Sequence, residues 1–185
     1  MGTFLWLNLG LLWILMLVNL VLTLALIRRT NAAARPVQPE PLPSGTLAPA
    51  FQARSLEGEA VTRATFRAGG LFLVFVSPQC QPCRALIPRI QDLWARAAEP
   101  GLEVVLVSLA GPQETRGMRD ELEIVLPLLC APEPENDFAR NYRVARTPSY
   151  CFLEGDKVRA AGMLSPDLSA LHEALGPRVA ASARE

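Results

Sequence analysis

The sequence predicts an α/β domain, a three-layer sandwich around a mixed sheet, preceded by one transmembrane helix. Three observations carry this prediction. The first 27 residues contain no charged side chain and are almost all apolar. Further on, two short, continuously apolar runs flank an amphipathic stretch, the pattern of a strand–helix–strand unit. Near the C-terminus, two apolar runs meet at Gly155–Asp156, a hairpin signal. Composition excludes other classes. The 185 residues are 50% hydrophobic and 19% charged, with 18 basic residues against 18 acidic ones. A chain without basic excess is not built to bind nucleic acid, and its apolar content is too high for a disordered one.

The run from Thr3 to Ile27 would make a helix of about 37 Å, enough to cross a ~30 Å hydrocarbon core with some tilt. It is longer than the core of a secretory signal, has no basic residue before it, and ends in Arg28–Arg29, so it reads as an uncleaved anchor over residues 1–30. Asn19, deep in the run, is either tolerated in a single span or a contact with a partner helix. Five prolines between residues 35 and 49 make residues 31–46 a semi-rigid, polyproline-like spacer. The folded domain is expected over 47–176 and a short tail over 177–185.

Within the domain, Ala50–Ala53 and Ala60–Thr62 read as short strands around a Glu57–Gly58 turn. Leu71–Val76 and Leu102–Val107 have the composition of strands buried on both faces. The helix between them, from Cys83 to about Ala98, ends at Pro100–Gly101, and its crossover should make the two strands parallel. Leu126–Leu129 predicts a further strand, 134–142 a helix, Ser149–Leu153 and Val158–Ala161 an antiparallel hairpin, and Pro166–Leu175 a last helix.

The chemistry concentrates in Ser77-Pro78-Gln79-Cys80-Gln81-Pro82-Cys83-Arg84. Two cysteines with two residues between them, at a strand-to-helix junction, suit a redox-active disulfide. The helix start offers backbone N–H groups and partial positive charge to the first sulfur, which favours the thiolate that attacks in exchange. Cys80 is therefore the expected nucleophile and Cys83 the resolving thiol. Pro82 stiffens the intervening loop. A structural zinc site would need four ligands, and no second pair accompanies this one; haem attachment would need His where Arg84 stands. No metal and no cofactor is expected.

Cys80-Gln81-Pro82-Cys83 resembles the active site of the thioredoxin superfamily. Pro88 matches the proline within its active-site helix, and Thr147–Pro148 matches its cis-proline, beside which substrate chains lie. The resemblance implies a thioredoxin-like fold and makes Thr147, Pro148, Pro82 and Gln81 substrate-binding or structural residues around the pair. Ala48-Pro49-Ala50-Phe51, Leu56-Glu57-Gly58-Glu59 and Tyr142-Arg143-Val144 resemble the TlpA/ResA-like membrane-anchored branch. The apolar span, the Pro-rich spacer and Ser77–Pro78 look closest to MauD-type methylamine dehydrogenase accessory proteins.

The chain also departs from these relatives. Gln79 replaces the Trp usual in thioredoxins, and Val74 and Leu86 stand where the family places a buried acid. The surroundings of Ser77 lack the peroxidase pattern, and the cysteine spacing is too short for a Sco-type copper carrier.

The implied activity is exchange of disulfides with cysteine-bearing client proteins, in maturation of a methylamine dehydrogenase-like or cytochrome-type enzyme. A polytopic membrane protein would be the electron-transfer partner. The competing reading is a membrane-tethered binding or assembly module on a non-catalytic thioredoxin fold. Arg28, Arg29 and Arg35 place the domain in the cytoplasm by the positive-inside rule. Disulfide chemistry favours the periplasmic side of the inner membrane, and that side is the one expected. Cys130 and Cys151 are expected on strands too far apart to pair, Trp94 in packing, and His172 at the surface or as a cap.

Overall fold

The computed structural model describes residues 2–33, 39–66, 69–97 and 101–175. It divides into two compact units, one ending at Gln38 and one beginning at Pro39. The first is a single helix, α1 (Gly2–Ala33), which runs past the boundary expected at residue 30. Its segment Trp6–Leu26 has a mean hydropathy of 2.5 and is long and apolar enough to cross a membrane. Asn8 donates to the Phe4 carbonyl at 2.9 Å, and the Thr23 hydroxyl donates to the Asn19 carbonyl at 2.8 Å. That hydroxyl also lies 3.4 Å from Asn19 Oδ1, so Asn19 is partly satisfied within its own helix.

In the second unit the strands are β1 (Gln52–Ser55), β2 (Ala60–Thr62), β3 (Gly70–Val76), β4 (Leu102–Ser108), β5 (Leu128–Cys130), β6 (Ser149–Glu154) and β7 (Lys157–Met163). They form one sheet in the order β2-β1-β5-β4-β3-β6-β7. As expected, β3 and β4 are parallel, and β6 runs antiparallel to both β3 and β7. All seven residues of β3 are buried, because it lies inside the sheet and both its faces are covered.

Alternation along β3 divides the core in two. Phe72, Val74 and Val76 face Ile87 and Ile90 of α2 (Gln81–Ala97), Met118 of α3 (Pro112–Glu121) and Leu171 of α5 (Ser169–Leu175). Leu71, Leu73 and Phe75 face Phe51, Phe138 and Tyr142, so the opposite face is covered by the single turn α4 (Phe138–Asn141) and by loops. Phe51 stacks on Phe138 with ring centroids 4.1 Å apart, and Phe75 meets Phe138 edge-on at 5.3 Å. One face is thick with helices and the other is thin.

Beyond shifts at element ends, such as α5 starting at Ser169 rather than Pro166, three expectations differ from the structure. Helix α3 was not visible in the sequence, because only Thr115 and Met118 of its ten residues are buried and no apolar stripe marks it. The helix expected over 134–142 shrinks to Phe138–Asn141. Residues Pro132 to Asn136 instead make a turn closed by the Asn136 N–H on the Pro132 carbonyl, and Asn136 Oδ1 accepts from the Phe138 N–H at 2.8 Å just before α4, whose capping position is Asp137. The last part of the expected spacer is docked. Gly45 donates to the Val158 carbonyl at 2.7 Å, Val158 donates to the Thr46 carbonyl at 2.9 Å, and Leu47 bridges Lys157. The outer edge of β7 presents unpaired backbone groups, and this segment satisfies some of them. Residues 34–38 of the spacer and the whole tail lie outside the described residues.

Candidate functional site

The site grows out of the end of β3. The buried strand stops at Val76, and Ser77–Gln79 form a tight loop in which the Cys80 N–H donates to the Ser77 carbonyl at 3.0 Å. Helix α2 starts at Gln81, earlier than the sequence pattern suggested, so Cys80 occupies the capping position and Cys83 lies in the first turn. A capping residue accepts a bond from an N–H of that turn. Here the acceptor is sulfur: the Cys83 N–H donates to Cys80 Sγ at 3.2 Å. Pro82 offers no N–H of its own, which leaves the Cys83 amide to fill this role.

Cys80 and Cys83 are joined by a disulfide, with Cα atoms 5.2 Å apart. Their exposure differs. Cys83 is fully buried, among Leu86, Ile87, Val76 and Leu164, whereas Cys80 is only partly covered. Gln81 and Pro82 are exposed beside them. The positions where the family places an acid are occupied by Val74 and Leu86, both buried. The buried polar side chains among the described residues are Ser108, Thr115 and Ser149, so no carboxylate lies in the core below Cys83.

Polar contacts brace the loop. Ser77 Oγ donates to Gln79 Oε1 at 2.8 Å, and Gln79 Nε2 donates to Glu114 Oε1 at 3.1 Å, tying the residue before Cys80 to the first turn of α3. Arg84 reaches the Pro78 carbonyl at 3.4 Å and pairs with Glu121. It is thus a clamp between α2 and α3 rather than a solvated helix residue. Sequence reasoning missed Glu114 and Glu121 because the helix that carries them has no apolar stripe. Pro88 lies inside α2 and removes the N–H that would bond the Arg84 carbonyl.

Thr147–Pro148 is a cis peptide at the start of β6. Register places it beside the cysteine loop: Ser149 pairs with Phe75, so Pro148 and Thr147 continue alongside Val76 and Ser77. Ser77 and Thr147 indeed line one cavity of about 270 Å³, together with Leu109, Glu133, Val144 and Arg146. Thr147 and Pro148 therefore lie at the same end of the sheet as the loop that leads into Cys80.

This geometry coincides with a match in sequence. The AhpC/TSA family profile covers residues 44–167, a segment holding every strand and the cysteine pair. The chain belongs to the AhpC/TSA family. Among curated proteins, the thiol-disulfide oxidoreductase ResA of Oceanobacillus iheyensis is 30% identical over 116 residues, 60% of this chain and 59% of that protein. ResA of Bacillus thuringiensis subsp. konkukian is 32% identical over 66 residues, 36% of this chain and 38% of that protein. The chain thus spans about three fifths or less of the length of these relatives. Among solved structures, a thiol:disulfide interchange protein DsbE from Chlorobium tepidum superposes with a TM-score of 0.63 at 24% identity, covering 73% of this chain and 99% of that one. The thioredoxin domain of a thiol-disulfide oxidoreductase from Bacteroides vulgatus gives 0.62 at 19% identity, covering 72% and 97%. This AhpC/TSA family member has the thioredoxin-like fold that its cysteine motif implied.

The remaining cysteines stand apart. Cys130 on β5 and Cys151 on β6 are separated by β4 and β3, and both are buried thiols. Burial pushes the Cys151 thiol up to about 12. It also raises Cys130, against the lowering effects of the Thr115 side chain and of Arg116. Trp94 packs partly buried against the thick core, and His172 Nδ1 lies 3.0 Å from the carbonyl of Leu168, just before α5.

Proposed function

We propose that this protein is a membrane-anchored thiol–disulfide oxidoreductase acting on cysteines of client proteins. The observation that carries the reading is the asymmetric disulfide at the start of α2, with Cys83 fully buried and Cys80 partly open. In the oxidising direction, a client thiolate attacks Cys80 Sγ, a client–Cys80 disulfide forms, and the Cys80–Cys83 bond breaks. Cys83 leaves as a thiolate and takes up a proton. A second client thiolate then attacks the client sulfur of the mixed disulfide, which releases an oxidised client and a Cys80 thiolate stabilised by the α2 N-terminus. Two electrons have passed to the cysteine pair. The reducing direction is the same sequence reversed, with a membrane dithiol partner restoring the pair.

The names of the ResA relatives support this activity. The finer reading, from the MauD-type resemblance, takes disulfide-rich extracytoplasmic proteins as clients, such as the small subunit of a methylamine dehydrogenase-like enzyme. It sets the domain on the periplasmic face, Thr147 and Pro148 against the client chain, and Gln81 and Pro82 at its edge. A Cys83→Ser variant should accumulate mixed disulfides with client proteins, visible as reducible high-mass species, and Cys80→Ser should form none. Exchange that survives Cys80→Ser overturns the assignment and favours the non-catalytic assembly module.

A further inference from the structure

Beyond the cysteine loop, the cavity lined by Ser77 and Thr147 shares Glu133 and Val144 with a second cavity of about 460 Å³, whose wall includes Arg140 and Arg143. These arginines belong to one stretch, Arg140 to Arg146, which leads from α4 to the cis-proline. They are not equivalent. Arg140 is paired with Asp137. Arg143 has neither an ion pair nor a side-chain hydrogen bond among the described residues, and its side chain is exposed at the cavity.

The backbone of Arg143 is also unusual. Its φ is +53°, the left-handed region that favours glycine. It follows α4, where the Arg143 N–H bonds the Arg140 carbonyl and the Val144 N–H bonds the Ala139 carbonyl, the helix-ending arrangement in which glycine is the usual residue. An arginine there strains the backbone, and no side-chain hydrogen bond or ion pair among the described residues offsets the strain. Such outliers point to function when they lie at a site.

We propose that Arg143 reads an acidic side chain close to the reacting cysteine of the client. This inference rests on the oxidoreductase reading above and specifies its substrate class. A client joined to Cys80 would lie along the cavity at Ser77 and Thr147 and extend across the Glu133–Val144 wall. There its carboxylate meets a guanidinium that no ion pair among the described residues neutralises. Glu133, lining both cavities, opposes an acidic client and tempers the preference.

The test uses the full-length oxidised protein in detergent at low ionic strength. Its probes are short peptides with one cysteine thiol flanked by Asp, Asn or Lys. Each exchange rate is divided by the same peptide's rate with a small neutral disulfide, which removes the effect of charge on thiol reactivity. The normalised rate for Asp peptides should exceed that for Asn peptides by roughly 2–5-fold, as suits an exposed ion pair, with Lys peptides slowest. High salt should bring the ratios close to one. In Arg143→Gln the Asp/Asn ratio should fall to one, in Arg143→Glu it should invert, and in Glu133→Gln it should rise. Because ratios are taken within each protein, a variant that exchanges slowly still reads out. Arg143→Gly should lose the preference while its Tm rises, which separates a recognition role from a structural one.

Equal normalised rates for all three peptides in the unmodified protein, or a preference that persists in Arg143→Gln, would overturn the proposal and leave the oxidoreductase reading intact. Failure of every peptide to react with the Cys80–Cys83 disulfide would overturn both.

Discussion

Cys80 shows how one atom can serve structure and chemistry together. Its sulfur occupies the place where a capping serine or aspartate would present oxygen, and it accepts the Cys83 N–H that such an oxygen would accept. Cys151 shows the opposite case, a thiol made inert by its surroundings. Burial raises it to about 12, so the folded state disfavours its thiolate. A group raised on folding contributes stability below its unfolded value and loses it as pH climbs to its folded one. Stability should therefore decline between pH ~9 and ~12. Urea denaturation across that range checks this, and Cys151→Ala should flatten part of the slope. Tyr142 is raised by burial too and adds in the same direction. A stability flat across the range would show that Cys151 ionises without unfolding.

Among the elements, α3 exposes most of its length and docks mainly through Thr115 and Met118. The Thr115 hydroxyl lies 2.8 Å from both Ser108 Oγ at the end of β4 and the Gly111 carbonyl. The Ser108 bond is buried, so its loss leaves the Ser108 hydroxyl with only the Ala110 N–H at 3.3 Å, while the Gly111 carbonyl keeps the Thr115 N–H. Thr115→Val should cost about 1–3 kcal/mol in chemical denaturation despite its matching shape. A cost below about 0.5 kcal/mol would mean that water or a rotated Ser108 replaces the contact. The same helix carries Glu114 and Glu121, which hold Gln79 and Arg84, so a loosened α3 should also loosen the loop that presents Cys80.

For the whole molecule, the two faces of the sheet divide the labour. The thick face buries Cys83 under α2 and α5, while the thin face, covered by α4 and loops, carries the cavities lined by Glu133, Val144 and Thr147. At this scale the apolar helix also matters. The apolar segment Trp6–Leu26 should keep the protein in the membrane pellet through alkaline carbonate extraction. A reporter that works only outside the cytoplasm, fused after Glu185, should be active. A silent reporter beside an active cytoplasmic one would show that Arg28, Arg29 and Arg35 govern orientation, and would place the cysteine pair in a reducing compartment.

Local pattern was enough for much of this protein. The unbroken apolar runs of β3 and β4 announce strands covered on both faces, since water-facing strands would alternate. The two-residue spacing of Cys80 and Cys83 already dictates a ring one helical turn wide. Thr147–Pro148 was legible as the partner of that pair through resemblance. Other features depended on contacts distant in the chain. Pro134 sits in a turn and not in a helix because the Asn136 N–H closes on the Pro132 carbonyl, and residues 45 and 46 leave the expected spacer because β7 offers an open edge. The setting of Arg143 needs Pro39, Glu133 and Val144 folded around it. The sequence by itself determined the apolar helix, the central strands and the cysteine pair, because each is encoded in consecutive residues. Tertiary structure alone decided which charges border the cavities beside the cysteine loop, because Glu133 and Arg143 meet there only when separate segments fold together.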